Sequence, residues 1–200
     1  MKHSSIALRI GAGVACCLAG LAVTAPATAN DFAAPLARLV EERIRPWLND
    51  PALIETLRQQ NAAHASLSQE EIDRLDGEWR SQAKAGHGPL IESVSASPAS
   101  RFLVEQRKRS DGLFSELFVM DARGLNAGQS DPTSDYWQGD EAKWQRTYAA
   151  GPQAYFIDEI EFDESSQSFQ SQVSVTVPDP DTGAPLGAIT VGVNVEKLLP

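Results

Sequence analysis

The sequence has little cysteine, histidine or basic charge. Its two cysteines, Cys16 and Cys17, are adjacent near the amino terminus, and it contains three histidines. Seventeen Lys and Arg residues stand against 27 Asp and Glu residues, which gives a net charge of −10. This balance disfavours nucleic acid and anionic membrane surfaces as partners, because both require clustered basic side chains. The chain after Cys17 can form neither a disulfide nor a thiolate metal site.

Residues 1–29 are predicted to be a secretory signal peptide. Lys2 and Arg9 form a basic start, residues 10–23 form a short apolar stretch, and Ala27-Thr28-Ala29 fits an A-x-A cleavage site. The apolar stretch is shorter than the roughly 20 residues that span a bilayer. Cleavage would remove both cysteines and change the net charge to −12. We therefore expect a periplasmic protein, with an uncleaved anchor or a lipidated cysteine as the alternatives.

The remaining chain has the length and composition of one globular domain. The full sequence has 200 residues, of which 42% are hydrophobic and 22% are charged. Apolar residues first recur every three or four positions, as in Leu36, Val40 and Ile44, which indicates helix. From Leu113 onward they alternate, which indicates strands. We expect a helical layer in residues 30–96 and a sheet portion in residues 97–200, together forming one domain.

Local signals predict where the helices begin and bend. Pro46 should kink the first helix, and Asp50-Pro51 should cap and restart it. Ser68 and Glu71 have the spacing of a capping box, and Ser97-Pro98 predicts another start. The sequence Gly86-His87-Gly88-Pro89 is expected to end the helical part.

Five segments have the pattern of strands. The first three are residues 114–120, 125–129 and 155–162. The last two alternate around Val175 and Val191, and the turn at residues 179–183 should join them into a hairpin. The sequence therefore predicts an α+β fold, in which a long N-terminal helix packs on a roughly five-stranded, mostly antiparallel sheet.

Catalytic and metal-binding motifs are absent from the sequence. It contains no G-x-S-x-G elbow, no phosphate-binding G-x-x-x-x-G-K-[ST] loop and no G-x-G-x-x-G strand-to-helix turn. His64 and His87 have no second histidine at ligand spacing, so both are expected to be surface or loop residues. We predict no catalytic residue, no metal and no cofactor.

Aromatic and acidic residues concentrate in residues 133–165. Aromatic faces and carboxylates together suit an ammonium group, through cation–π attraction and charge-assisted hydrogen bonds. The alternative for Trp144 and Tyr148, four residues apart, is that they only pack a helix onto the sheet. Strict alternation through Phe156 and Phe162 would point Asp158 to the apolar side of its strand. The candidate ligand-binding residues are Tyr136, Trp137, Trp144, Tyr155, Asp158 and Asp163.

Two motifs in this half carry a resemblance to a known family. The segment FVMDARG at residues 118–124 and the segment TSDYWQGDE at residues 133–141, followed by the paired strands, resemble the extracytoplasmic Cache sensor domains. These PAS-like modules occur in bacterial chemoreceptors, histidine kinases and diguanylate cyclases. The resemblance implies a PAS-like sheet with a small-molecule pocket under a cover of loop and helix. Tyr136, Trp137 and Trp144 would lie in the cover, with Tyr155, Asp158 and Asp163 opposite.

The resemblance also implies how such a domain would act. Family members usually continue from the last strand into a transmembrane helix, whereas this sequence ends at Pro200. We expect a non-enzymatic periplasmic sensor that binds a small, amine-bearing metabolite and signals through a membrane receptor, kinase or cyclase. One alternative is an interaction subunit with a vestigial pocket, which could form a homodimer through its N-terminal helix. Another is a hydrolase that uses a carboxylate pair such as Asp158 and Asp163.

Overall fold

The structure is a computed structural model that describes residues 32–163 and 167–198. The predicted signal peptide, with Cys16 and Cys17, lies outside the described residues. The helices are α1 (Ala33–Leu39), α2 (Pro51–His64), α3 (Gln69–Ala85), α4 (Pro89–Ser95), α5 (Pro98–Arg109) and α6 (Ala142–Gln145). The strands are β1 (Phe114–Met120), β2 (Asn126–Gln129), β3 (Tyr155–Asp163), β4 (Ser168–Pro178) and β5 (Pro185–Asn194).

The N-terminal helix changes geometry along its length. After α1 it continues as a π-helical segment, Val40–Ile44, and then as a 3₁₀ turn, Arg45–Trp47. Pro46 lies in this turn, where its missing N–H and fixed φ interrupt regular helix, as the sequence predicts. The Asp50 carboxylate then accepts a hydrogen bond from the Ala52 amide at 2.9 Å and caps α2.

The other helix starts also follow their caps. Ser68 and Glu71 form the predicted capping box at the start of α3, and Ser97 caps α5. Gly86 ends α3 with a left-handed φ of 80°, which glycine adopts without steric cost. The helical part does not end there, however, because Pro89 occupies the first position of α4.

The five strands form one sheet in the order β2-β1-β5-β4-β3, and every neighbouring pair is antiparallel. The predicted α+β fold with a five-stranded antiparallel sheet is confirmed. The β4–β5 turn also forms as expected, with Gly183 at a φ of +72°. Arg58 of α2 binds the Asp179 carboxylate at 2.8 Å and lowers the pKa of that group to about 2. The turn is thereby held against the helical layer.

One face of the sheet is covered by the helical layer and forms the main core. Leu117, Val173 and Val191 on this face are at most 1% exposed. They belong to the same apolar cluster as Leu36 of α1 and Leu53 of α2. Among the described residues, the helices therefore cover this face of the sheet.

A second apolar cluster holds the loop that precedes α6. Trp79 of α3 stacks on Tyr136 with ring centroids 5.0 Å apart. The Asp76 carboxylate accepts hydrogen bonds from the backbone amides of Tyr136 and Trp137 at 2.8 and 3.1 Å. These contacts fix the path of the loop before it crosses the open face of the sheet. Among the described residues, no helix is both long and apolar enough to cross a bilayer.

Candidate functional site

A cavity of about 900 Å³ lies on the face of the sheet that the helical layer leaves open. Its floor is formed by alternate residues of three strands, including Glu116 of β1, Gln170 and Gln172 of β4, and Asn194 of β5. Residues of β3 form one wall, and the segment before and within α6 forms another. The volume is within the range of small-molecule sites in proteins.

Acidic side chains dominate the lining of this cavity. Of the lining residues that the structure describes, seven are carboxylates and two are cationic, Arg107 and Lys143. The carboxylates are Glu116, Asp131, Glu141, Asp158, Glu159, Glu161 and Asp163. Clustering of one sign of charge in a cleft concentrates ions of the opposite sign there, so the cavity favours a cationic ligand.

Irregularities in two strands place some of these side chains. The pairing of β3 with β4 shifts register between Ile157 and Ile160, and that of β1 with β5 shifts between Phe114 and Glu116. An extra residue in a strand redirects the side chains that follow it. Both shifts lie beside the cavity, where Glu116 and Asp158 line its surface.

The shift in β3 also corrects one expectation. Strict alternation through Asp158 to Phe162 is wrong, because the strand changes parity at the shift. Phe156 is buried under the Arg146 guanidinium, 4.2 Å from the ring centroid. Phe162 instead pairs with Phe169, and both rings are about half exposed. Glu161, next to Phe162, lines the cavity.

Glu116 is the carboxylate of the cavity floor. Gln172 donates a hydrogen bond to its Oε1 at 2.8 Å. Burial raises the pKa of the Glu116 carboxyl above its usual value, while the Gln172 bond and the positive charge of Lys143 partly oppose this shift. A cation placed beside Glu116 would stabilise the charged carboxylate.

The two cationic lining residues are engaged differently. Arg107 of α5 pairs with Asp131 at 2.8 Å, and both side chains are about half exposed. The side chain of Lys143 in α6 is only 12% exposed, and its ammonium is 2.8 Å from a Glu141 oxygen. It also lies 5.5 Å from the centroid of the Phe118 ring. Arg107 therefore forms a solvated pair, whereas Lys143 is a largely buried cation whose partner Glu141 is 37% exposed.

Two of the six predicted site residues, Asp158 and Asp163, line the cavity. Tyr136 is 2% exposed against α3, where burial raises the pKa of its phenol. The Trp137 indole donates to the backbone oxygen of Arg123 at 2.9 Å. The structure thus brings the two aspartates together, whereas Tyr136 and Trp137 pack in the apolar cluster against α3 and α4 and are not lining residues of the cavity. Their contact with a ligand stays a prediction.

The other two predicted residues lie further from the acidic lining. Trp144 stacks on Tyr148 with centroids 5.0 Å apart, and both pack on Phe118 and Met120. This is the packing role that was the alternative for this pair. Tyr155 is 45% exposed and pairs with the core residue Val175, so it faces the helical side of the sheet. Contact of Trp144 or Tyr155 with a ligand likewise stays a prediction.

Sequence reasoning missed Glu116, Gln172 and Lys143. A signal was present for the first two, because a carboxylate interrupts the apolar strand FSELFVM and polar residues occupy every second position of β4. Such positions belong to a face that is not sealed by helices. Lys143 carries no comparable signal, since its burial depends on how α6 folds over the sheet.

His64 was also misjudged as a surface or loop residue. Its Nδ1 lies 2.7 Å from an Asp121 oxygen, and the Asp121 side chain is fully buried. The same carboxylate accepts hydrogen bonds from the backbone amides of Arg123 and Leu125 at 2.8 and 3.0 Å. The Trp144 indole donates to the Asp121 backbone oxygen at 3.2 Å. Asp121 therefore connects α2, the β1–β2 turn and α6.

No protein-family model matches the chain, and no curated protein matches it in sequence. Among solved structures, it is similar to the sensor domain of the V. cholerae histidine kinase DctB, with 10% identity and a TM-score of 0.43 over 84% of this chain and 53% of that one. It is also similar to the ligand-binding domain of the Campylobacter jejuni chemoreceptor Tlp3, in complex with 4-methylisoleucine, with 12% identity and a TM-score of 0.40. That match covers 76% of this chain and 64% of the other.

A third similar structure is the ligand-binding domain of the Pseudomonas aeruginosa amino acid chemoreceptor PctC in complex with GABA. The identity is 18% and the TM-score 0.36, over 65% of this chain and 58% of that one. The chain thus spans between 53% and 64% of the length of these three structures. They are sensor and ligand-binding domains, the class of protein named by the sequence resemblance.

Proposed function

We propose that the chain is a small-molecule-binding sensor domain that acts in the periplasm and binds an amine-bearing metabolite. The observation that supports this proposal is the acidic cavity on the open face of the sheet, with seven carboxylates among its lining residues. A carboxylate provides strong, charge-assisted hydrogen bonds to an ammonium group. Asp158 and Asp163 are proposed as contacts of the ligand, together with Glu116 on the floor.

The proposed role is binding and not catalysis. Among the lining residues, Ser115 and Ser168 carry hydroxyls that could act as nucleophiles. The Ser115 hydroxyl is hydrogen-bonded to the amide oxygen of Gln170, and an amide is too weak a base to activate it. The sensor would report occupancy to a membrane receptor, kinase or cyclase. Asp121 is a candidate for this coupling, because it joins the α6 cover to α2 in the helical layer.

A thermal-shift screen tests the proposed function. The compounds are amines, amino acids, short carboxylates and nucleobases, each measured with the mature chain, which lacks the predicted signal peptide of residues 1–29. We expect amines to stabilise the protein, by about 5 to 10 °C when the ligand is at a hundred times its Kd. Carboxylates should give no shift, because the lining repels anions.

Paired variants show whether the stabilisation arises in the cavity. Glu159→Gln combined with Glu161→Gln removes two exposed lining carboxylates of β3, and it should at least halve the shift given by amines. Glu55→Gln combined with Glu70→Gln is the matched control, since both residues are exposed on α2 and α3 and do not line the cavity. Equal shifts in the two double variants, or no shift with any amine in the wild type, would refute the proposal.

A further inference from the structure

Lys143 occupies a place that suits the ammonium group of a ligand. Its Nζ contacts the Glu141 carboxylate at 2.8 Å and the Gln138 amide oxygen at 3.3 Å. The face of the Phe118 ring completes the surroundings at 5.5 Å from the ring centroid. A carboxylate, an amide oxygen and an aromatic face are the groups that bind amines in proteins.

The surroundings of Lys143 also separate it from the other cation of the cavity. Only 12% of its side chain is exposed, compared with 43% for Arg107. Arg107 belongs to α5 and pairs with Asp131, which is itself 53% exposed. Lys143 therefore provides the enclosed positive charge beside Glu116, whereas Arg107 provides a solvated one.

Lys143 can leave this place without disturbing the sheet. It lies in α6, a helix of four residues, and its ammonium is carried on a flexible four-carbon stem. The helix is held to the sheet by its neighbour Trp144, which bonds to Asp121 and stacks on Tyr148. Rotation of the Lys143 stem would move the ammonium into water, where it is strongly hydrated, and would leave Glu141 and the Phe118 ring available.

We infer that Lys143 is an internal counterion of the cavity and that the ammonium group of a ligand displaces it. This inference rests on the proposed function and adds the residue that sets the affinity and selectivity of the site. A ligand must replace the contacts of an ammonium that is already present, so weakly basic and neutral compounds do not enter this place. Primary amines on a short aliphatic chain, which copy the end of the Lys143 side chain, are the compounds that fit it.

Titration calorimetry with putrescine and n-butylamine tests the inference on the mature chain. Lys143→Met keeps most of the aliphatic stem over Phe118 and removes the competing charge. We expect the Kd for both amines to fall about tenfold, in keeping with the strength of a desolvated cation–π contact and its ion pair. Lys143→Arg keeps a cation in place and should leave the Kd within about threefold of the wild type, a difference of under 1 kcal/mol.

Arg107→Met is the control for charge alone. It removes one positive charge from the same lining, but from the solvated pair with Asp131. If the gain in Lys143→Met came only from a more negative cavity, Arg107→Met would match it, and the inference would be overturned. An unchanged or weaker affinity in Lys143→Met would overturn it as well, while amine binding by the wild type would leave the proposed function standing. If neither the wild type nor Lys143→Met binds an amine, the proposed function and the role of Lys143 both fail.

Discussion

The two faces of the sheet are built from the same strands but have opposite character. On the helical side, Leu117, Val173 and Val191 are packed with almost no exposure. On the other side, the neighbouring positions are Glu116, Gln172 and a glycine, Gly192. The alternation of side chains along a strand allows one set of backbone hydrogen bonds to support both faces. Stability can therefore be concentrated on one face while the other is left for a site.

The difference follows from what covers each face. The helical layer brings long apolar side chains over one face, where each buried Leu or Val contributes about 1.5 to 3 kcal/mol. The cover of the other face is α6 and the 3₁₀ turn Tyr148–Ala150, which seal only the part around Phe118 and Met120. Beyond that part the sheet carries polar groups, because water or a ligand reaches them.

The largest expected difference between the two faces of the sheet concerns two adjacent residues of β1. Leu117→Ala removes a fully buried side chain from the helical face, and we expect it to lower the free energy of unfolding by about 2 to 5 kcal/mol. Glu116→Ala changes the cavity face and should cost less than about 1 kcal/mol. Urea unfolding followed by circular dichroism measures both. Equal costs would show that the two faces do not differ in their contribution to stability.

A smaller effect is expected from the polar pair under the α6 cover. Ser174 and Thr190 share a hydrogen bond of 2.8 Å between their hydroxyls, and both residues are fully buried. Thr190→Val should cost about 1 to 3 kcal/mol, because it leaves the Ser174 hydroxyl buried without its partner. Adding Ser174→Ala should restore most of that loss, since neither polar group then remains.

A double-mutant cycle on Ser174 and Thr190 measures the coupling free energy between the two side chains. The coupling between the two substitutions should be favourable and of the order of 1 kcal/mol. If the losses of stability in the two single variants simply add, each hydroxyl has a hydrogen-bond partner other than the other one. The hydrogen-bonded pair would then not be a feature that separates this face of the sheet from the helical face. The same cycle on Val175 and Ile189, a facing pair on the helical side, provides the apolar control, in which both single variants and the double variant lose stability.

Strand boundaries were predictable because alternation is a local property. Strand β1 begins and ends where its apolar run does, and β4 follows the valines at every second position. The helix starts at Asp50, Ser68 and Ser97 were predictable for the same reason, since a cap needs only its own first turn. These features depend on neighbours within four residues.

The site was less predictable because it depends on contacts that are distant in sequence. Asp158 and Asp163 were predicted from the local concentration of aromatic and acidic residues. The position of Tyr136, in contrast, depends on packing against Trp79, which lies 57 residues earlier in the sequence. The register shift in β3 depends on pairing with β4, and no local pattern announces it. The contact of His64 with Asp121 is likewise distant in sequence, because the sequence indicates Asp121 only as the start of a turn.

The smallest expected effect is a pH dependence at Glu116. Burial raises the pKa of its carboxyl in the folded state above the usual value of 4.5. Between the usual pKa, which applies to the unfolded chain, and the higher pKa of the folded chain, the folded chain binds more protons than the unfolded chain. The stability that Glu116 contributes is therefore fully present below pH 4.5, and it is lost as the pH rises through the pKa of the folded state. Glu116→Gln removes this titration and retains an oxygen that can accept from Gln172. The variant should therefore gain stability relative to the wild type between pH 4 and pH 7.

Urea unfolding at pH 4 and pH 7 measures this change, with Glu55→Gln on the exposed side of α2 as the control for loss of a carboxylate. The control should give nearly the same difference from the wild type at both pH values, because its side chain is solvated in both states. A constant difference for Glu116→Gln would mean that the cavity floor is as well hydrated as the surface. A cationic ligand should reverse the trend, since a positive charge beside Glu116 lowers its pKa and makes the charged carboxylate the stabilising form. The pH dependence thus reports whether the open face of the sheet is empty or occupied.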